Sequence, residues 1–503
     1  MSYSTIILST LNARYMHTAF GLRYIYANMG DLQTATKIVE FTIQESPINI
    51  VEQLLLHKPK IIGFSVYIWN VLEIKKTVAM LKQVAPDITI ILGGPEVSHN
   101  PDIPEVAELA DYVLSGPGED SVPTLCKQLL AGETPEQKFI EGKALPLDEL
   151  KLPYEYYSDD DIKNRLIYVE ASRGCPFKCE FCLSALDKTS TAFPLENFLA
   201  EMDKLLQRGV RNFKFIDRTF NLKISTTVTI LEFFLERMTD DLYLHFELVP
   251  DNLPEKLKEV LQRFPSNSLQ FEIGVQTFDP EIQTRISRKQ NNEKSKANIL
   301  WLRENTGAHL HTDLIFGLPG DTLENFGHSF DQLVALRPQE IQLGILKRLR
   351  GAPLNRHNED FDLRFNPEAP YNILSTKNIE FSAMQRINRF ARFWDMVANS
   401  GRFADTLPLI LADQPFERFL QLSDALYQQA GSTWKIALKR LFELIYTVLT
   451  NEFKLEAEQV KQQLALDYTR AKVKGIPDYE RIVQLKKVVR TGTANKRQRS
   501  HAN

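Results

Sequence analysis

Three cysteines near the middle of the chain have the type and spacing that a reactive metal site needs. They form the run Cys175-Pro-Phe-Lys-Cys179-Glu-Phe-Cys182, directly after a predicted strand and a Ser-Arg-Gly turn. Three thiolates on one short loop can hold three irons of a four-iron cluster and leave the fourth iron open to a substrate or cofactor. A structural zinc wants a fourth protein ligand, and the nearest histidine in sequence is His245. Structural zinc and unrelated cysteines are the alternatives.

The composition is that of an ordinary globular protein. Of its 503 residues 43% are hydrophobic and 25% charged, and 60 Lys and Arg against 64 Asp and Glu give a net charge of −4. Disorder and collagen-like structure are excluded, and no global field draws the protein to nucleic acid or to an anionic membrane. We expect neither a signal peptide nor a membrane span. Four cysteines are poor usage for a disulfide framework, so we expect a cytoplasmic protein.

The first 135 residues predict a doubly wound, Rossmann-like α/β domain. Five apolar runs alternate with helical patterns such as 70–85, which favours a parallel sheet covered on both faces. Ligands of such sheets bind beyond the carboxyl ends of the strands. The residues that the sequence places there are Asn12, Ser65, Gly93, Gly94, Ser115 and Gly116. Each glycine could instead serve only to turn the chain.

Three further regions follow. Residues 136–164 are polar, carry prolines and an acidic cluster, and predict a linker. Residues 165–352 contain six predicted strand–helix units, too few for an eight-unit barrel and suited to a partial (β/α)6 barrel. Residues 353–503 predict a mostly helical C-terminal domain, with a helical pattern at 434–450 and a basic tail from Lys472. The tail is either an electrostatic arm for RNA or a solvated segment.

At the cysteine run the sequence resembles the radical S-adenosylmethionine (SAM) superfamily, including the aromatic Phe181 before the third cysteine. The resemblance implies that Cys175, Cys179 and Cys182 hold a [4Fe-4S] cluster whose open iron binds SAM. It also implies reductive cleavage of SAM to a 5′-deoxyadenosyl radical, with electrons from a donor such as a flavodoxin or ferredoxin. The cofactor carries out the radical chemistry, and the protein positions the cofactor and excludes water from it.

The resemblance continues along the predicted barrel. The segments 269–277 (LQFEIGVQT), 286–288 and 313–322 (DLIFGLPGDT) are similar to those of coproporphyrinogen oxidases and methylthiotransferases. By this analogy Gln276 and Glu247 contact SAM, the turn at Gly317 lets backbone approach it, and Asp217 is a similar candidate, as is Phe181. The alternative for each is a helix cap or a loop contact.

The first domain resembles the B12-binding domain of cobalamin-dependent radical enzymes at 61–66, 91–96 and 111–119. The resemblance implies that the strand-end residues named above wrap the nucleotide tail of the corrin. Two departures are visible. Gly-Pro-Gly-Glu119 stands where Gly-Glu-Gly-Glu is common, and His17 matches the histidine loop that ligates cobalt in many B12 domains only imperfectly. Cys126 lies in a helical pattern and is expected to be a small buried hydrophobic residue.

The segments 370–374 and 399–403 resemble a C-terminal domain of unknown function found in one group of B12-binding radical SAM proteins. The whole resemblance implies a cobalamin-dependent radical SAM enzyme, and by analogy a methyltransferase acting on an unactivated carbon or phosphorus of an unknown small molecule. The alternatives are a radical cyclase or rearrangement enzyme without methyl transfer, an RNA-modifying enzyme, and a non-enzymatic cobalamin or redox sensor. Nucleic acid is not an expected partner apart from the basic tail.

Overall fold

The structure is a computed structural model that describes residues 5–187 and 189–475. It divides into two compact units. Unit 1 comprises Met1–Arg218, Lys347–Asn355 and Asn366–Asn372, and unit 2 comprises Thr219–Leu346, Arg356–Phe365 and Ile373–Asn503. Most of the predicted basic tail, residues 476–503, lies outside the described residues. Each unit is described by itself below.

Unit 1 begins with a six-stranded parallel sheet of order β2-β1-β3-β4-β5-β6. The strands are β1 (Ile6–Asn12), β2 (Thr36–Thr42), β3 (Ile61–Ser65), β4 (Thr89–Gly93), β5 (Tyr112–Ser115) and β6 (Phe139–Glu141). All seven residues of β1 are buried, as a parallel strand covered on both faces requires. The five predicted strands are therefore present, and β6 adds a sixth inside the predicted linker.

Five helices cover the two faces of this sheet. They are α1 (Phe20–Ala27), α2 (Pro47–Leu55), α3 (Val71–Val84), α4 (Val106–Leu109) and α5 (Gly118–Leu130). Two separate hydrophobic clusters result. One contains residues of α2 and α3, and the other contains residues of α1 and α5. Cys126 is fully buried in the second cluster, as expected from its helical context. The predicted doubly wound domain is confirmed.

The segment predicted as a linker has more structure than its composition indicates. Besides β6 it contains α6 (Asp159–Asn164), which begins with a capping box between Ser158 and Asp161. The Asp161 carboxylate is buried and accepts hydrogen bonds from Arg23 and Arg165, both at 2.8 Å. A buried charge needs such partners. The acidic cluster is therefore the first turn of a helix that is anchored to the first domain.

Unit 1 ends with the start of the second strand–helix alternation. It contains β7 (Ile167–Val169), β8 (Ser172–Arg173), β9 (Thr191–Ala192), α7 (Leu195–Gln207) and β10 (Asn212–Phe215). Strands β7 and β10 pair in parallel, whereas β8 and β9 pair antiparallel. The short β8–β9 ribbon closes the loop that carries the three cysteines.

Unit 2 continues the alternation with four more strands in parallel, ordered β14-β13-β12-β11. Its elements are α8 (Ile224–Glu236), β11 (Tyr243–Leu248), α9 (Glu255–Leu261), β12 (Leu269–Gln276), α10 (Pro280–Arg285), α11 (Asn292–Asn305), β13 (His309–Phe316), α12 (Leu323–Ala335) and β14 (Glu340–Ile345). Together with β7 and β10 of unit 1, these complete the six strands predicted for the second strand–helix alternation. This part of the fold prediction is confirmed.

The rest of unit 2 is mostly helical, as predicted. It contains the antiparallel pair β15 (Arg364–Phe365) and β16 (Ile373–Ser375), then α13 (Phe381–Val397), α14 (Leu407–Leu411), α15 (Pro415–Ala430), α16 (Leu438–Asn451) and α17 (Ala457–Arg470). Helix α16 begins later than predicted because Lys435 has a φ of +59°, which no α-helix accommodates. No helix in the described part of the chain is long and apolar enough to cross a bilayer. The bounds of the four predicted regions stay predictions.

Candidate functional site

A cavity of about 300 Å³ lies at the carboxyl ends of the strands of the first sheet. The strand order reverses between β1 and β3, and open α/β sheets bind their ligands at such a switch point. Four of the residues predicted to wrap a corrin tail line it, namely Ser65, Gly93, Gly94 and Gly116. The cavity therefore has the place that the resemblance implies for cobalamin.

Gly94 shows why this wall is built from glycine. Its φ is +103°, and a Cβ there would lie 2.6 Å from the carbonyl oxygen of Val66. A larger residue would have to displace the backbone of the neighbouring loop, so only glycine lets the two loops approach. Gly94 and Gly116 carry no side chain into the cavity that they line, and a bulky cofactor fits where side chains are absent.

Three other predicted positions lie elsewhere. Asn12 donates a hydrogen bond to Glu40 at 2.7 Å, and neither Asn12 nor Ser115 is among the residues that line the cavity. The Nδ1 of His17 lies 2.6 Å from the hydroxyl of Tyr168, and burial lowers the pKa of this imidazole. His17 does not line the cavity either. The sequence favours a surface or loop role for His17 over a cobalt-ligand role. That expectation and the corrin contacts of Asn12 and Ser115 stay predictions.

The cavity also has polar residues that the sequence did not single out. Glu119, in the first turn of α5, and Arg173, in β8, both line it and form an ion pair at 2.6 Å. Arg173 also binds Glu170 at 2.8 Å and lies over the ring of Tyr24 at 4.4 Å. The two carboxylates outweigh the cost of burial and raise the pKa of Arg173. It is a fixed positive charge beside the cavity.

The cysteine loop starts two residues after Arg173. Cys175, Cys179 and Cys182 are free thiols, each partly exposed, and Phe181 is half-buried in the same loop. Burial raises the pKa of Cys175, and the thiols of Cys182 and Cys179 raise it further. The amide of Cys182 donates a hydrogen bond to the carbonyl oxygen of Cys179 at 3.0 Å. In the described residues no three His, Cys, Asp or Glu side chains could hold one metal ion. A four-iron cluster instead takes one thiolate per iron, and this donor set fits that demand.

Asp217 fixes the strand that leads into the loop. Its carboxylate accepts hydrogen bonds from the amide of Ala171 at 3.0 Å and from the hydroxyl of Ser172 at 2.6 Å. Burial raises the pKa of Asp217 to about 7. These hydrogen bonds give Asp217 a structural role, because they hold the backbone at Ala171 and Ser172 in place. Contact of Asp217 with SAM stays a prediction.

In unit 2 the predicted SAM residues have different surroundings. Gln276 ends β12 at a bulge with a φ of +69°, and its buried Oε1 has no hydrogen-bond partner among the described residues. A strained residue with an orphaned buried oxygen is a candidate for ligand contact. Glu247 is half-buried on β11. Gly317 has a φ of +89°, and a Cβ there would meet Ile373 at 2.8 Å, so packing alone requires glycine. All three contacts to SAM stay predictions.

One face of the unit 2 sheet is polar, which the sequence analysis missed. Titratable or amide side chains occupy alternate positions over parts of these strands, as in the run His309-Leu-His311-Thr-Asp313. This partial alternation is the signal that the sequence offered. The Nε2 of His311 lies 3.3 Å from Asp313, and its Nδ1 lies 3.4 Å from Glu340. These carboxylates outweigh burial and raise the pKa of His311 to about 10. Two further pairs lie on these strands, His245 with Glu272 at 2.9 Å and His309 with Glu340 at 3.2 Å.

Family comparisons agree with the three-part organisation. Residues 169–333 match the radical SAM superfamily, residues 7–126 match the B12 binding domain, and residues 359–500 match a protein family of unknown function, DUF4080. Each match covers one of the regions whose residues carried a resemblance. The family assignment made from the sequence is confirmed.

Individual relatives are distant. The chain is 23% identical over 329 residues to the uncharacterized methyltransferase PH0819 of Pyrococcus horikoshii, covering 60% of this chain and 70% of that protein. It is 23% identical over 366 residues to the cobalamin-dependent radical SAM methyltransferase TokK of Streptomyces tokunonensis, covering 65% of this chain and 52% of that protein. The structure of the cobalamin-dependent SAM radical enzyme OxsB with aqua-cobalamin and SAM matches 99% of this chain and 84% of its own, with a TM-score of 0.65 and 13% identity. That likeness concerns the fold.

Proposed function

We propose that this chain, a cobalamin-dependent radical SAM enzyme, is a methyltransferase that acts on an unactivated carbon or phosphorus centre of a small molecule. The observation that carries the proposal lies in unit 1. Arg173 lines the cavity at the switch point of the first sheet and stands two residues before Cys175. A single short segment thus links the two predicted cofactor sites, which supports a reaction that uses both cofactors. The names of PH0819 and TokK support methyl transfer.

The residues divide the work in this proposal. When bound, the cluster supplies the electron that cleaves SAM, and cobalamin supplies a carrier for the methyl group. Cys175, Cys179 and Cys182 hold the cluster, and the Ser65, Gly94 and Gly116 loops hold the corrin. Gln276 offers its unpartnered Oε1 to a donor of the bound SAM.

The surrounding residues position these groups and control charge. Asp217 holds the backbone at Ala171 and Ser172, which lead into the cysteine loop. Arg173 is kept cationic by Glu119 and Glu170 and places a positive charge between the cavity and the loop. His311 keeps its proton at neutral pH because Asp313 and Glu340 raise its pKa. An electron donor such as a flavodoxin or ferredoxin, and a cytoplasmic location, belong to the same proposal, because cysteines used as ligands suit a reducing compartment.

The test measures two products of SAM. The reconstituted protein is incubated with SAM, cobalamin, a reductant and a cell extract, and S-adenosylhomocysteine and 5′-deoxyadenosine are quantified. Methyl transfer with radical initiation predicts that both accumulate in similar amounts and that a substrate gains the mass of one CH2. The variant with all three loop cysteines changed to Ala is the control and should make neither product above background.

Three results would assign another function. If 5′-deoxyadenosine forms with a substrate turning over while S-adenosylhomocysteine stays at background, the enzyme is a cyclase or rearrangement enzyme. If cobalamin binds but neither product forms with any extract or reductant, the protein is a non-enzymatic cobalamin or redox sensor. The RNA-modifying alternative is separated by treating the extract with ribonuclease, which would remove the methylated product.

A further inference from the structure

The C-terminal part of unit 2 has a groove of about 560 Å³ that the proposed function does not use. Its floor is one polar face of α13, where Gln385, Asn388, Arg389 and Arg392 recur at helical spacing. The opposite face of α13 is buried in the helical core. The groove therefore lies on a rigid element, and its volume is in the range of small-molecule sites.

Two arginines in the groove are held by aromatic rings. The guanidinium of Arg389 lies 4.5 Å from the ring centroid of Tyr427, and that of Arg392 lies 4.4 Å from the ring of Trp434. A guanidinium stacked on a ring keeps its N–H donors in its own plane, where they can meet an oxyanion in pairs. Stacking also restricts the rotamers of both side chains before any ligand arrives. The two donors are thus preorganised.

The charges of this pair are poorly neutralised. Across the described part of the chain, no carboxylate pairs with Arg389, and Arg392 has only Asp395 at 3.5 Å. The buried Nε atoms of both arginines have no hydrogen-bond partner within the described residues. By contrast Arg386, on the same helix but outside the groove, binds Asp424 at 2.6 and 3.0 Å. Asp395 also lines the groove, so two guanidinium charges face one carboxylate and the groove attracts an anion.

The strand beside the groove argues against a peptide as the ligand. The backbone of Ile341, in the edge strand β14, is bound by the carboxamide of Asn399, two residues after the end of α13. The Asn399 Oδ1 accepts from the Ile341 N–H, and the Asn399 Nδ2 donates to the Ile341 carbonyl, each at 2.9 Å. The side chain thus takes the place that an added strand would need. The rings of Trp434 and Tyr427, which line the groove, remain accessible to a ligand, because Trp434 is 68% exposed and Tyr427 37% exposed. An anion with a planar ring would use both features.

We propose that this groove binds a small phosphate monoester that carries a planar ring, of which a nucleoside monophosphate is the simplest example. The guanidiniums of Arg389 and Arg392 take the phosphate oxygens. The exposed ring of Trp434 stacks with the planar group. The carboxamides of Gln342, Gln385 and Asn388 line the same groove and offer hydrogen bonds to its edge. This site is independent of the methyltransferase proposal.

The test is equilibrium dialysis of radiolabelled AMP with the full chain, carrying its cluster and saturated with SAM and cobalamin so that those sites are filled. We expect saturable binding, with AMP bound at least about tenfold more tightly than either adenosine or inorganic phosphate alone. The double variant Arg389→Gln, Arg392→Gln should weaken AMP binding at least about tenfold. Arg386→Gln, which removes the same charge from the same helix, should leave it unchanged. Trp434→Leu should abolish the preference for AMP over phosphate while phosphate still binds.

Several outcomes would overturn the proposal. They are no saturable binding of AMP, equal loss in Arg386→Gln and the double variant, or phosphate bound as tightly as AMP by the unchanged protein. A single-stranded RNA without terminal phosphates that displaces AMP at lower concentration would show a nucleic-acid groove instead. Equal thermal unfolding midpoints of the variants exclude misfolding as the cause of a loss.

Discussion

Arg173 and Glu119 form an ion pair at 2.6 Å that joins the residue two positions before the cysteine loop to the first turn of α5. Both side chains line the cavity proposed for cobalamin. The pair is largely shielded from solvent, with Arg173 28% and Glu119 10% exposed, so its charges interact more strongly than those of a surface pair. One contact therefore links the cavity proposed for cobalamin to the loop proposed to hold the cluster.

The first prediction is that Glu119→Gln changes both cofactor sites. The substitution removes a charge-assisted hydrogen bond, which contributes about 1.5–3 kcal/mol. The cavity wall becomes less rigid as a result, so cobalamin binding should weaken about tenfold. Removing a negative charge near the cluster favours its reduced form, so its reduction potential should rise. Absorbance titration with cobalamin and redox titration of the cluster measure the two effects. Asp120→Asn removes the same charge from the same turn without touching Arg173 and should change neither value.

The second prediction uses two glycines with similar backbone and different surroundings. Gly94 and Gly132 both have positive φ, +103° and +83°, but a Cβ at Gly132 meets nothing within 4 Å. Gly132→Ala should therefore cost only the backbone strain, about 1–2 kcal/mol, and leave cobalamin binding intact. Gly94→Ala should cost more and reduce cobalamin binding strongly. If both variants bind cobalamin like the unchanged protein, the Gly94 loop is not part of the site.

The sequence predicted much of this fold because buried parallel strands are rich in apolar residues, as in β1 and β4, and because α3 has a clear helical period. It did not predict β6, a strand of three residues within a polar segment. It also did not predict the pairing of Arg173 with Glu119, because the two residues are 54 positions apart and only the folded sheet brings them together. The cysteine loop, by contrast, could be predicted, because its three cysteines lie close together in the sequence.

The third prediction concerns Gln276. Its Oε1 is buried without a partner among the described residues, which costs about 1–3 kcal/mol in the absence of a ligand. Gln276→Ala should therefore raise the thermal unfolding midpoint of the cofactor-free protein and at the same time weaken SAM binding. A purely structural residue would move both in the same direction. Gln270→Ala, on the same strand but with its Oε1 bonded to the Tyr243 hydroxyl at 2.9 Å, should lower the midpoint and leave SAM binding unchanged.

The last prediction is a pH dependence of stability in unit 2. Asp313 and Glu340 raise the pKa of His311 from its ordinary 6.5 to about 10. A raised pKa means that the folded state binds the proton more tightly than the unfolded state, so the stabilisation is fully present below pH 6.5. It is lost as the pH rises from 6.5 through 10. The unfolding midpoint should therefore fall across this window.

The variant His311→Asn should remove this component and flatten the pH profile above 6.5. His328→Asn, which changes an exposed histidine on α12, should leave the profile as it is. The comparison is the difference between the midpoints at pH 6.5 and pH 10 for the three proteins, measured by circular dichroism. An equal difference in all three would show that His311 binds no proton more tightly in the folded state. In that case the imidazole would be neutral, and it could donate a hydrogen bond to only one of the two carboxylates, Asp313 or Glu340.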